Sequence, residues 1–104
     1  MPDKFTIADP NGKVVTCSEE QWNDHILANR PWMSSYEKRV QKTIEDPTAI
    51  LQDAAHPDRN NYYRRYKSNY MKVVVENDNT NSAKVITAFV ANSPKSSESI
   101  IWKK

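Results

Sequence analysis

The stretch from Asn60 to Glu76, NNYYRRYKSNYMKVVVE, constrains the fold of this chain more than any other, because it joins a basic, tyrosine-rich run to the most apolar strand in the sequence. Aromatic and β-branched residues on both sides of the polar Lys67-Ser68-Asn69 predict a β-hairpin. Alternation then sorts the side chains. Tyr62, Arg64 and Tyr66 share one face and Tyr63 and Arg65 the other, so an arginine is carried on whichever face is buried. On the partner strand Met71, Val73 and Val75 form an apolar row, which leaves Tyr70, Lys72, Val74 and Glu76 to meet water or a ligand. This density of tyrosine, arginine and lysine suggests an anionic partner.

At 104 residues the chain is read as one domain, 1–104, with a core that is small for its length because only 38% of residues are apolar. Cys17 is the single cysteine, so no internal disulfide and no Cys/His zinc motif is expected, and no metal or cofactor is implied. No signal peptide and no apolar run of about 20 residues is visible, which predicts a soluble chain without a membrane partner. Net charge is only +2, but its distribution is uneven. Five basic residues and no acid lie between Arg59 and Lys72, whereas most acids lie in the first half.

Taken in order, KFTIA and KVVT flank Asp9-Pro10-Asn11-Gly12 and predict a short hairpin whose turn holds the only glycine. Ser18 with Gln21 three residues on is a capping-box pattern, opening a helix over about Glu19 to Asn29 with Trp22 and Ile26 inward and His25 at the edge of that stripe. Pro31 interrupts it. A second helix is expected from Ser34 or Ser35 to Glu45, with Tyr36, Val40 and Ile44 in one row and Asp46-Pro47 as its stop. Ile50-Leu51 is too short a pattern to decide between strand and helical turn. After a loop at His56-Pro57-Asp58 and the central hairpin, the polar tract NDNTNS predicts another hairpin loop. Lys84 to Ala91 is the next strand, with Ile86, Ala88 and Val90 as the expected core row and Thr87 beside Phe89 on the other. A loop over Asn92 to Ser99 precedes Ile100 to Trp102. The fold class is α+β: an N-terminal hairpin and two helices followed by an antiparallel sheet of about four strands.

Chemistry concentrates on a few side chains. Histidine titrates near neutral pH, which suits His25 to acid-base work, although beside Trp22 it also suits packing; His56 reads as solvated. Arg64 and Arg65 each present a donor fork to phosphate and Lys72 a point charge, against the competing reading of a charged sheet face paired with its own acids. Tyr62, Tyr63, Tyr66 and Tyr70 can stack on unpaired bases, with at least two of the four expected in the core. The lone glycine excludes a glycine-rich phosphate loop, and the carboxylates form no metalloenzyme pattern.

His25-Ile26-Leu27 with Pro31, Ile44 with Asp46-Pro47, the YYRRY run, KVVV at Lys72 to Val75 and VITAF at Val85 to Phe89 together resemble the phage-associated branch of the barnase, EndoU, colicin and RelE-like ribonucleases. The likeness spans about residues 18–102. It implies a metal-independent endoribonuclease of the toxin or phage-effector kind, with its helix histidine falling on His25, its strand arginine on Arg64 or Arg65 and its last-strand hydroxyl on Thr87. With the chemistry above, the expected catalytic residues are His25, Arg65 and Thr87, and the expected substrate contacts Arg30, Arg64, Tyr63, Lys72 and Tyr70. Related sequences carry RHP where this chain has Asn29-Arg30-Pro31, so Arg30 either replaces a histidine as a phosphate contact or marks a position without a catalytic role. The resemblance implies RNA as partner, with a cognate immunity or antitoxin protein, and a cytoplasmic domain or one delivered within a larger toxin. The alternative is a non-catalytic module that binds RNA or a protein through the same basic, tyrosine-rich sheet.

Overall fold

A computed structural model describes residues 3–79, 81–92, 94 and 98–104. Strands β1 (Asp3–Ala8) and β2 (Val14–Ser18) form the N-terminal hairpin, with Gly12 at φ 84 in its turn. Asp9 organises that turn: its Oδ1 accepts from the backbone N–H groups of Asn11 and Lys13, both at 2.9 Å. Ser18 caps the first helix by accepting from Gln21 N at 3.0 Å. The helix runs through α1 (Glu19–Gln21) into a π-helical segment, Trp22–Leu27, that buries Trp22 and Ile26. A 3-10 segment, Pro31–Tyr36, buries Met33 and leads into α2 (Glu37–Glu45), where Val40, Thr43 and Ile44 face inward at helical spacing.

The sheet departs from the expected four antiparallel strands. Among the described residues it has seven, β3 (Ala49–Gln52), β4 (Arg59–Tyr66), β5 (Asn69–Asn77), β6 (Ser82–Ala91) and β7 (Ser99–Lys103) joining the N-terminal hairpin in the order β1-β2-β6-β5-β4-β3-β7. All pairs are antiparallel except β2 with β6, which pair in parallel over Val14–Thr16 and Ser82–Lys84. That one parallel contact fuses the N-terminal hairpin to the rest. Ile50-Leu51, ambiguous in sequence, is strand because β4 and β7 flank it on both sides. Part of the expected 77–82 loop, Thr80, and part of the expected 92–99 loop, Ser93 and residues 95–97, lie outside the described residues.

The helices cover one face of the sheet. Beneath them lie Phe5, Val15, Cys17, Ile50, Tyr62, Met71, Val73, Val75, Val85 and Ala88, all buried with Trp22, Ile26, Met33, Val40 and Ile44. The expected Met71-Val73-Val75 row holds. The expected row on β6 is buried at Ala88 but broken at Ile86, because the register shifts between Val74 and Val75: Val74 pairs with Thr87 and Val75 with Val85. Ile86 is the extra residue of this bulge, so Val85 takes the buried place; Val90, opposite Met71, keeps the face of Ala88 but is exposed near the end of the strand.

Candidate functional site

The face of the sheet away from the helices holds a second group. Register places Tyr63, Lys72 and Phe89 side by side on β4, β5 and β6, with Asn61, Val74 and Thr87 in the next row and Arg65, Tyr70 and Ala91 in the row beyond. Lys72 is 9% exposed, unusual for a lysine, and its Nζ lies 5.5 Å from the Tyr63 ring centre and 5.4 Å from that of Phe89. Among the described residues no carboxylate forms an ion pair with it. Two aromatic faces attract the ammonium while leaving its N–H donors available to an anion.

Arg30 joins the group from the end of the first helix, its guanidinium 4.7 Å from the Phe89 ring centre. The helix reaches this place because β2 stops pairing with β6 at Lys84, leaving the rest of that β6 edge open. Gln21 closes part of the opening by donating from Nε2 to the carbonyl of Ile86, the bulge residue, instead of completing a reciprocal capping box. His25 lies in the π-helical segment, four positions after Gln21, on the helix that leads to Arg30. His25 is exposed, so it does not fill the core beside Trp22.

Carboxylates hold the other side of this face. Tyr63, 1% exposed, donates its hydroxyl to Glu98 at 2.9 and 3.0 Å, and Asn61 Nδ2 donates to Glu98 and, at 3.3 Å, to Asp53. Burial first, then the Glu98 bond, pushes the Tyr63 phenol well above its ordinary range. At Asp53 burial works to raise the carboxyl, but hydrogen bonds from Asn61 and the Ala55 and His56 backbone outweigh it and hold it low. The Asn61 amide oxygen, Oδ1, is buried and has no partner among the described residues. Tyr70 closes the group, meeting the Tyr63 ring edge-on at 6.0 Å.

The expected site residues therefore divide. Arg30, Tyr63, Tyr70, Lys72 and Thr87 border one face; His25 is exposed on the helix that leads to Arg30. Arg65 shares that face by register, opposite Tyr70, and donates from Nε to Lys67 O at 3.1 Å. Arg64 points to the opposite face, where it holds Asp46 Oδ2 at 3.0 Å. Lys104, the larger influence, and Arg64 keep the Asp46 carboxyl below its ordinary range. Phe89, Asn61 and Glu98 were not singled out as site residues from sequence. Phe89 was legible as the row-mate of Thr87, whereas nothing local announces that Glu98 meets a strand more than thirty positions earlier. Among the described residues no three of His, Cys, Asp and Glu stand together to hold a metal ion, and no helix is long and apolar enough to cross a membrane.

No family model, curated protein or solved structure matches this chain.

Proposed function

We propose that this chain is a metal-independent endoribonuclease that binds single-stranded RNA on the sheet face built from Tyr63, Lys72 and Phe89. The observation that carries the reading is Lys72: a nearly buried ammonium between two rings, with Arg30 stacked on one of them, is a place where a phosphate finds charge and a base finds an aromatic surface. The motif likeness to the barnase, EndoU, colicin and RelE-like ribonucleases supports the same reading and assigns His25 and Thr87 their roles.

In this reaction His25 takes the proton of the ribose 2′ hydroxyl as the 2′ oxygen attacks phosphorus. The bond to the 5′ oxygen breaks, and the proton passes to that leaving oxygen, giving a 2′,3′-cyclic phosphate and a free 5′ hydroxyl. Lys72 and Arg30 stabilise the charge that builds on the phosphorane, Thr87 donates to one of its oxygens, and Tyr70 supplies a base contact, while the buried Tyr63 ring holds Lys72 in place. Arg65 belongs to the same face at its outer end. Incubating the protein with total RNA in excess EDTA tests the proposal: cleavage with 2′,3′-cyclic ends is expected, and strict dependence on magnesium or intact RNA overturns it.

A second reading keeps the RNA and removes the chemistry. Arg30 stands where related sequences carry a histidine, which favours a face that binds without cutting; retained RNA binding with no cleavage by folded protein is its signature.

A further inference from the structure

A cleft of about 470 Å³ opens at the tip of the β4–β5 hairpin, outside the Tyr63, Lys72 and Phe89 row. Its lining includes Arg39, Arg65 and Lys67 together with Tyr36, Tyr66 and Tyr70, and no carboxylate is among the residues that line it. The Arg39 guanidinium is held 5.0 Å from the Tyr36 ring centre and 5.3 Å from that of Tyr66. Ring contacts of this kind fix the place of the guanidinium without consuming its N–H donors. Among the described residues none of the three cations forms an ion pair.

The backbone adds an independent observation. Tyr66 pairs with Asn69, so Lys67 and Ser68 are the two turn residues, and Lys67 has φ 55. Positive φ at the first turn position of a hairpin is ordinarily met by glycine, asparagine or aspartate. A lysine there places an ammonium at the cleft at a cost in backbone strain, a pattern associated with functional sites.

We propose that this cleft is a second phosphate subsite, holding a nucleotide further along the RNA than the one on the sheet face; the inference rests on reading that face as an RNA site. Tyr70 joins the two places, lining the cleft while its ring meets Tyr63. The cleft opens on the helix side of the hairpin tip, where Tyr36, Arg39 and Tyr66 lie, so a strand from Lys72 reaches it by rounding the tip past Tyr70; Lys72 to Ser68 alone is about 13 Å, further than one nucleotide bridges. The cleft therefore serves oligonucleotides and does nothing for the shortest ones.

The test is binding of 2′-O-methyl oligouridine, which lacks the attacking hydroxyl, as a trimer and as an octamer. For the wild-type chain the octamer is expected to bind about tenfold or more tighter than the trimer, the scale of one charge-assisted contact. Arg39→Ala and Lys67→Gly should each remove most of that advantage and leave trimer affinity unchanged, while Lys72→Met weakens both lengths. Lys67→Gly should at the same time raise the melting temperature, which separates relief of strain from damage to the fold. If Lys72→Met weakens both oligomers but the two cleft variants bind the octamer as the wild type does, the subsite is overturned and the face stands. If neither oligomer binds the wild-type chain, both are overturned.

Discussion

Arg30 lies 4.7 Å from the centre of the Phe89 ring, and this contact pins the end of the helix that carries His25 to the strand that carries Thr87. Its consequence is a common border for residues far apart in sequence. Lys72 approaches the same ring at 5.4 Å, so Phe89 is the shared platform for two cations.

His25→Ala should lower single-turnover RNA cleavage by about 10² to 10⁴, the usual contribution of a positioned acid or base. Because the side chain is exposed, melting temperature should barely move. Measuring rate, RNA affinity and melting temperature on the same preparation checks both halves. A variant that cuts at the wild-type rate removes His25 from the chemistry.

Lys72→Met keeps a stem of similar length against Tyr63 and Phe89 while deleting the charge. If the ammonium meets a phosphate, the slope of log affinity against log salt should become shallower by about 0.7 for a single strand. Titrations at four or five salt concentrations measure it, and an unchanged slope would show that Lys72 meets no phosphate.

Tyr62→Phe tests the opposite face. The Tyr62 hydroxyl donates to Asp9 Oδ2 at 2.6 Å within the core, joining β4 to the turn of the N-terminal hairpin. Losing a bond to a buried carboxylate should cost about 2 kcal/mol, a fall of roughly 10 °C in a domain of this size. RNA affinity should persist below the lowered melting point, since Tyr62 faces away from the proposed site. Thermal unfolding of the two proteins decides it, and equal melting temperatures would mean the bond contributes nothing net.

Cys17 gives a pH prediction. Burial, with smaller contributions from the charges of Glu37 and Asp3, pushes its thiol from 9.0 up to about 12. A group raised on folding contributes stability in full below its unfolded value and loses it as pH rises. Stability should therefore decline from about pH 9 upward, and thermal scans between pH 7 and 10 should show this decline reduced in Cys17→Ala, whose cavity lowers the starting value. In the native protein at pH 8 the thiol should resist alkylation and react only on unfolding. Rapid labelling of folded protein would contradict its burial.

What depends on neighbours along the chain was legible in the sequence. The sides of Tyr62 and Tyr63, the inward row Met71, Val73 and Val75, the Ser18 cap and the glycine turn all follow from alternation, capping and backbone freedom, which act over two to four residues. The expectation that at least two of the four tyrosines belong to buried structure also holds, since Tyr62 and Tyr63 are both buried. Pairing at a distance decided the rest. The bulge at Ile86 moves Val85 inward, and only the β5 register reveals it. The parallel junction of β2 with β6 depends on how the N-terminal hairpin docks, for which no local pattern exists. Of two adjacent arginines, alternation sends one to each face, but which face the helices cover is a property of the packed domain. Tertiary structure ties Arg64 to Asp46 and leaves Arg65 beside Tyr70, because burying one side of a sheet fixes the direction of every side chain on it.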